Sequence, residues 1–211
     1  MPAQTLTLSE ASYVLGRPAA VLNKAVDTGV IRARQRRVGK AVQRVLGPAE
    51  LRFLRLDEEL DRDLTPTGRR RLYDALRRLS SDSHRMKLGN LELDLALIDD
   101  DLKARLDRLD EIRGRVELRG EDSDAVIRGT EVPVHLIAAL AGSQTIDKVL
   151  EDFPSLDREQ VVAAIEYAKA YPKRGRPYAV RSMKRMLSDL AELGAFDESD
   201  SPGEAAPRKI P

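Results

Sequence analysis

The chain has 211 residues, of which 34% are charged, with no cysteine, no tryptophan and two histidines. Without cysteine there is no disulfide framework, zinc knuckle or thiol nucleophile. Two histidines far apart in sequence give little material for a catalytic triad or a metal site. No segment is apolar enough to span a membrane, and the first residues lack the order of a signal peptide. These features predict a cytoplasmic protein that is not an enzyme and binds no metal or cofactor.

The net charge of +1 conceals a strong segregation of charge along the chain. Residues 1–50 hold eight basic and three acidic groups, whereas residues 89–127 hold six basic and twelve acidic groups. Residues 172–188 hold six basic groups and no acidic one, and residues 189–211 hold six acidic and two basic groups. Because a charge acts over only about 8 Å at physiological salt, each block is expected to bind a different partner. The basic block at the start of the chain favours nucleic acid as its partner.

The first thirty residues predict two helices joined by a tight turn. Thr7 and Glu10 have capping-box spacing, in which the hydroxyl and the carboxylate satisfy free amides at a helix start. Gly16 permits a sharp turn, Pro18 suits the start of a second helix, and Gly29 suits its end. This order predicts a helix-turn-helix unit whose second helix enters the major groove of DNA.

A basic hairpin follows the second helix. Residues 31–45 contain six basic residues and no acidic one, with Gly39-Lys40 at the centre where two short strands could turn. Such a wing would place cations beside the phosphates that flank the groove. The alternative is a small helical subdomain with a solvated basic hairpin. The residues predicted to bind DNA are Arg17, Asn23, Lys24, Arg32, Arg34, Arg36, Arg37, Lys40 and Arg44.

The run TLSEASYVLGRPAAVLNKAVDTGVI, residues 7–31, keeps the order helix, glycine turn, helix, glycine. With the wing and a further helix that Gly47-Pro48 would open, this order resembles the winged helix-turn-helix of MerR-like and excisionase-like proteins. The resemblance implies binding to double-stranded operator DNA. A homodimer is expected as well, because one winged unit contacts only one half-site.

The middle of the chain is predicted to connect two modules. Thr65-Pro66 would start a helix, and the arginines on its outer side fit a solvated face or additional phosphate contacts equally well. Hydrophobic patterns predict a strand, a helix and two short strands, which form a small sheet with one packed helix. In chain order these elements lie at residues 91–95, 99–112, 116–118 and 125–127.

The acidic run Asp99-Asp100-Asp101, with Glu92 and Asp94 nearby, raises the question of a Mg²⁺ site. Consecutive aspartates at a helix start point in different directions, and the helix dipole favours them there. Side chains of Glu92 and Asp94 would face solvent across the strand from the leucines. The pattern therefore favours helix capping and solubility over metal binding.

Residues 127–171 carry the most specific pattern of the chain. The run IRGTEVPV at residues 127–134 leads into three short helices, with a corner at Phe153-Pro154-Ser155-Leu156. The opening, this corner and the third helix, with Val161, Ala164, Ile165, Tyr167 and Ala168, resemble the family of VapB-type antitoxins first catalogued as a domain of unknown function. The resemblance implies a VapC-like PIN-domain ribonuclease toxin as partner and repression of the protein's own operon.

The last segment suits an inhibitor on chemical grounds. Arginines can pair bidentately with the carboxylates of a Mg²⁺-dependent ribonuclease site, and an apolar stripe of methionine and leucine suits an adaptable groove. Alternatives are a homodimer helix, an intramolecular helix, or an AT-hook at Arg174-Gly175-Arg176-Pro177 that lies in the minor groove. The residues predicted to bind the toxin are Arg174, Arg176, Arg181, Met183, Met186, Leu187 and Leu190.

The sequence thus predicts a mainly α protein with small β elements, an α+β class. Its predicted function is that of an antitoxin that neutralises a VapC-like toxin and binds operator DNA. The alternative is a MerR-like or excisionase-like regulator without a toxin partner. The predicted divisions are a winged helix-turn-helix at 1–62, a connecting region at 63–126, a three-helix module at 127–172, and a basic segment, amphipathic helix and disordered acidic tail at 173–211.

Overall fold

The structure is a computed structural model that describes residues 4–38, 41–60, 63–80, 82–118 and 125–173. Within these residues the chain forms eight helices and seven short strands, which confirms the predicted α+β class. The predicted helix and acidic tail beyond residue 173 lie outside the described residues. The elements are β1 (Leu6–Thr7), α1 (Leu8–Leu15), α2 (Ala19–Asp27), β2 (Arg34–Val38), β3 (Ala41–Leu46), α3 (Pro48–Leu60), α4 (Pro66–Arg78), β4 (Arg85–Leu88), β5 (Leu91–Asp94), α5 (Ala96–Gly114), β6 (Val116–Leu118), β7 (Ala125–Ile127), α6 (Val134–Ala141), α7 (Ile146–Asp152) and α8 (Arg158–Ala170).

The N-terminal residues form the predicted helix-turn-helix and hairpin. The capping box is present, since the Thr7 hydroxyl accepts from the Glu10 amide at 3.3 Å and the Glu10 carboxylate accepts from the Thr7 amide at 2.7 Å. Gly16 adopts φ +66°, which lets α1 end in a turn that few side chains tolerate. Strand β2 pairs antiparallel with β3, and β3 also pairs with β1, a short strand that the sequence did not predict.

The first hydrophobic core joins the helix-turn-helix to α3, α4 and α5. It includes one leucine from each of four helices, each with at most 3% of its surface exposed: Leu22, Leu51, Leu76 and Leu106. Burial of each such side chain contributes about 1.5–3 kcal/mol. This core therefore takes residues from both sides of the predicted boundary at residue 62.

The second core belongs to the C-terminal module. The β6-β7 hairpin pairs Val116 with Ile127, and Gly129 adopts φ +78° in the turn that follows. This turn brings α6 back against the hairpin, where Ile137 is fully buried and packs with Val161 of α8. The three predicted short helices are confirmed at this position.

Helix α5 contributes to both cores and is the longest of the described helices. Leu102, Leu106 and Leu109 lie in the first core, whereas Ile112, three residues further on, lies in the second. None of the helices in the described residues has both the length and the hydrophobicity needed to cross a membrane.

The predicted single sheet of the connecting region is wrong. The structure has two separate two-stranded sheets, β4 with β5 and β6 with β7. Strand β4 was not predicted, because its sequence, RMKL, has only one apolar position that becomes buried, Met86. The nineteen residues of α5 separate the two hairpins by about 28 Å along the helix, since each residue rises 1.5 Å.

The prediction that the acidic run is solvated is wrong for Asp99, although Asp99 does lie in the first turn of the helix. Helix α5 begins at Ala96, three residues before the predicted start, so Asp99 shares the inward face with Leu95 and Leu102. Its two carboxylate oxygens each accept from Arg52 at 2.7 Å, and both side chains are at most 4% exposed. The Nδ1 atom of His84 lies 2.7 Å from the same carboxylate. Among the described residues no group of three or more acidic or histidine side chains could hold a metal ion.

We expect Asp99→Asn to destabilise the fold by about 3–5 kcal/mol, because it leaves the buried Arg52 guanidinium without a compensating charge. The control is Asp100→Asn, which removes an exposed carboxylate next to it and should change stability by less than about 0.5 kcal/mol. Urea denaturation at pH 7 measures both variants. Equal effects of the two substitutions would contradict the structural role of the Arg52–Asp99 pair.

Candidate nucleic-acid interface

Helix α2 presents an outer face with four exposed side chains. Its nine residues span about 13 Å, a length that fits across a B-DNA major groove of about 12 Å. Leu22 anchors the helix in the core, while the exposed positions are Ala20, Val21, Lys24 and Asp27. The face therefore combines small apolar surface with one cation and one carboxylate, and the carboxylate of Asp27 pairs with Arg44.

Three of the residues predicted to bind DNA make contacts that position α2. The half-buried Arg17 donates from one guanidinium nitrogen to the carbonyl of Leu54 at 3.0 Å, which holds it against α3. The side chain of Asn23 accepts from Arg44 at 2.7 Å and donates to Asp27 at 3.0 Å. Because Arg44 also pairs with Asp27, it ties strand β3 of the wing to α2.

The arginines of the wing carry positive charge that the fold leaves uncompensated. Within the described part of the chain no carboxylate pairs with Arg32, Arg34, Arg36 or Arg37, and all four are exposed. One nitrogen of Arg36 lies 3.4 Å from the hydroxyl of Thr5. A row of exposed, unpaired guanidinium groups is suited to polyanion binding. Lys40 lies outside the described residues.

The wing has two faces because side chains alternate along a strand. Arg36 lies opposite Gln43, and Gln35 lies opposite Arg44 in the antiparallel register. Arg44 contacts α2. The face of the wing that carries Gln35, Arg37 and Arg44 is therefore directed toward the helix-turn-helix. The face with Arg36 borders residues of the C-terminal module.

A polar cluster links the helix-turn-helix to the C-terminal module. Glu10 of α1 is only 5% exposed, and its carboxylate accepts from Arg113 of α5 at 2.7 Å and from the hydroxyl of Tyr171, after α8, at 2.8 Å. Arg113 also donates to the Tyr171 hydroxyl. The ring of Tyr171 lies against Tyr167, with ring centres 4.5 Å apart. Sequence reasoning assigned Glu10 to the capping box alone and missed this cluster.

The cluster changes the acid–base properties of its members. Burial raises the pKa of the Glu10 carboxyl, but the hydrogen bonds from the Thr7 amide, Arg113 and Tyr171 outweigh burial and leave the pKa below the ordinary 4.5. Burial, together with the neighbouring Glu10 carboxylate, raises the pKa of the Tyr171 hydroxyl. Glu10 is therefore ionised and Tyr171 protonated at neutral pH, as this hydrogen-bond pattern requires.

The residues predicted to bind a toxin remain a prediction. They lie outside the described residues, and so does the alternative AT-hook. The described chain ends at Lys173, which borders a cleft beside the wing. These residues are Arg174, Arg176, Arg181, Met183, Met186, Leu187 and Leu190.

Comparison with known proteins finds a family match for one part of the chain. Residues 123–168 match a family described as a protein of unknown function, DUF433. The chain is 35% identical over 97 residues to the uncharacterized protein y4eO of Sinorhizobium fredii, an alignment that covers 43% of this chain and 41% of that protein. The chain thus spans less than half the length of this relative. No solved structure matches.

We expect Glu10→Gln to lower stability at pH 7 by about 1.5–3 kcal/mol, since it weakens hydrogen bonds to a charged acceptor. A carboxyl with a lowered pKa stabilises the fold above the ordinary value of 4.5 and loses this contribution as the pH falls. The difference from the unsubstituted protein should therefore shrink between pH 5 and pH 3 in urea denaturation. Glu117→Gln, on the exposed surface of β6, is the control and should show little difference at any pH. A difference that stays constant with pH would contradict the account.

Proposed function

We propose that the protein binds double-stranded DNA, with α2 in the major groove and the wing on the flanking phosphates. The observation that carries the proposal is the row of exposed arginines on the wing, which have no carboxylate partner among the described residues, on a wing that Arg44 ties to α2. Phosphate contacts from these arginines release condensed counterions and supply affinity without sequence preference.

Sequence preference would come from α2. Lys24 can donate to guanine, and the small apolar side chains of Ala20 and Val21 can contact thymine methyl groups. Asp27 is held by Arg44 and Asn23, which limits its repulsion of phosphates. A homodimer would place two such helices about one DNA turn apart, at 34–36 Å.

We further propose that the protein is the antitoxin of a toxin–antitoxin pair and that it represses its own operon through this DNA contact. Support comes from the resemblance of residues 127–171 to VapB-type antitoxins, in the same part of the chain as the match to the family of unknown function. The partner would be a VapC-like PIN-domain ribonuclease, whose acidic active site suits the basic residues 173–185. A regulator without a toxin partner is the alternative, and it shares the same DNA interface.

The triple substitution Arg34→Ala, Arg36→Ala and Arg37→Ala should weaken binding to any DNA duplex. Loss of three phosphate contacts should also reduce the slope of log affinity against log salt by about 2–3. Fluorescence anisotropy with labelled duplexes across a salt series measures both quantities. The matched control removes three exposed cations far along the sequence, Lys103→Ala, Lys148→Ala and Arg158→Ala. If affinity and slope match those of the unsubstituted protein, the wing does not contact DNA.

The antitoxin role predicts that the neighbouring reading frame encodes a small ribonuclease with spaced aspartates. The full chain should co-purify with that ribonuclease and inhibit its cleavage of RNA. Removal of residues 174–211 should abolish inhibition, while DNA binding through the wing persists. A truncated chain that still inhibits would place the toxin contact elsewhere, and a ribonuclease that ignores the full chain would favour the regulator.

A further inference from the structure

A cationic cleft separates the wing from the C-terminal module. Its volume is about 420 Å³, and its lining includes Arg36 and Arg44 from the wing, His135 from α6, and Lys173 at the end of the described chain. The acidic member of this lining, Glu10, is buried and already bound to Arg113 and Tyr171. Arg44 pairs with Asp27, so the excess positive charge of this surface comes from Arg36 in the cleft and from Arg34 and Arg37 on the adjoining wing.

The arginines along α5 are paired with carboxylates, in contrast to those of the wing. Along α5, Arg105 pairs with Asp101, Arg108 with Glu166, and Arg115 with Glu111 and Glu159. Arg34, Arg36 and Arg37 lack such carboxylates among the described residues. On α4, Arg70, Arg71 and Arg78 are exposed and also lack a carboxylate partner among the described residues. The wing differs from α4 because Arg36 lines the same cleft as Lys173, where the described chain ends. An acidic segment that follows Lys173 would therefore gain most by binding at the wing.

The chain itself supplies an acidic segment close to this surface. Residues 189–211 contain six acidic and two basic groups, and residue 189 follows Lys173 by sixteen residues. Sixteen residues reach up to about 55 Å when extended, so the segment can cover the wing. Residues 174–188 contain basic groups and no acidic one, and the wing would repel them. The acidic end is therefore the part that the wing attracts.

We propose that residues 189–211 bind the cationic cleft and the wing, and that they compete with DNA phosphates for Arg34, Arg36 and Arg37. This inference rests on the proposed DNA binding. Tethering gives the segment an effective concentration in the millimolar range, whereas each exposed ion pair contributes little to the binding free energy. The contact is therefore reversible and sensitive to salt. DNA, with its denser charge, displaces the segment, and the competition lowers the affinity of the protein for DNA only modestly.

The first test neutralises the acidic segment in the full chain. Relative to the unsubstituted protein, this variant should bind a labelled duplex about three- to tenfold more tightly at 50 mM salt, with a smaller difference at 300 mM salt, where charges are screened. Equal affinities at 50 mM salt would overturn the proposal. The substitutions are Asp189→Asn, Glu192→Gln, Asp197→Asn, Glu198→Gln, Asp200→Asn and Glu204→Gln.

A matched control separates this contact from the effect of net charge. It neutralises six exposed carboxylates on α5, β6, α7 and α8, which changes the net charge by the same amount. We expect a much smaller gain in affinity for this control. If both variants gain equally, net charge explains the effect and the proposal fails. The control substitutions are Asp100→Asn, Asp107→Asn, Glu117→Gln, Asp147→Asn, Glu151→Gln and Glu159→Gln.

The second test needs no DNA. Because the chain has no cysteine, Gln35→Cys on the wing and Ser199→Cys in the acidic segment allow clean labelling for energy transfer. Transfer should be high at 50 mM salt and fall both at 500 mM salt and in the neutralised variant. A protein with this behaviour that binds no DNA would support the contact and contradict the proposed function. Transfer that is equal in both variants at low salt would overturn the contact, even if DNA is bound.

Discussion

The packing of α5 against two hydrophobic cores is the constraint on which the rest of the structure depends. Its leucines complete the core beneath the helix-turn-helix, and Ile112 completes the core of the C-terminal module. A buried polar contact fixes the helix near each end, Asp99 with Arg52 at one and Arg113 with Glu10 and Tyr171 at the other. Buried polar groups must be paired, which restricts how α5 can rotate or slide.

This arrangement divides the arginines into two groups with different roles. Those on α3 and α5 pair with carboxylates and hold elements together, as Arg52 and Arg108 do. Those of the wing extend beyond the core, where the fold supplies no carboxylates among the described residues. The proposed DNA surface is therefore a consequence of folding as well as of composition, because most other arginines are used within the fold.

Local patterns allowed much of the fold to be predicted. The capping box at Thr7, the turn at Gly16, the hairpin around residues 39–40 and the three short helices after Pro133 all depend on neighbours in sequence. Strand β4 was missed because a strand of four residues with one buried position carries almost no periodic signal. The outer face of α2 was predicted in part, since helical spacing places Lys24 outward but does not show that Arg17 reaches the Leu54 carbonyl.

The sequence by itself determined most of the helices, the hairpin of the wing, and how charge is distributed along the chain. It did so because caps, turns and periodicity are interactions over a few residues. Only the tertiary structure decided which polar groups are buried and with whom they pair. Asp99 and Asp100 are adjacent and identical in type, yet one is enclosed with Arg52 and the other is exposed. The register and rotation of α5 against its neighbours make that difference, and both arise from contacts between residues that lie far apart in sequence.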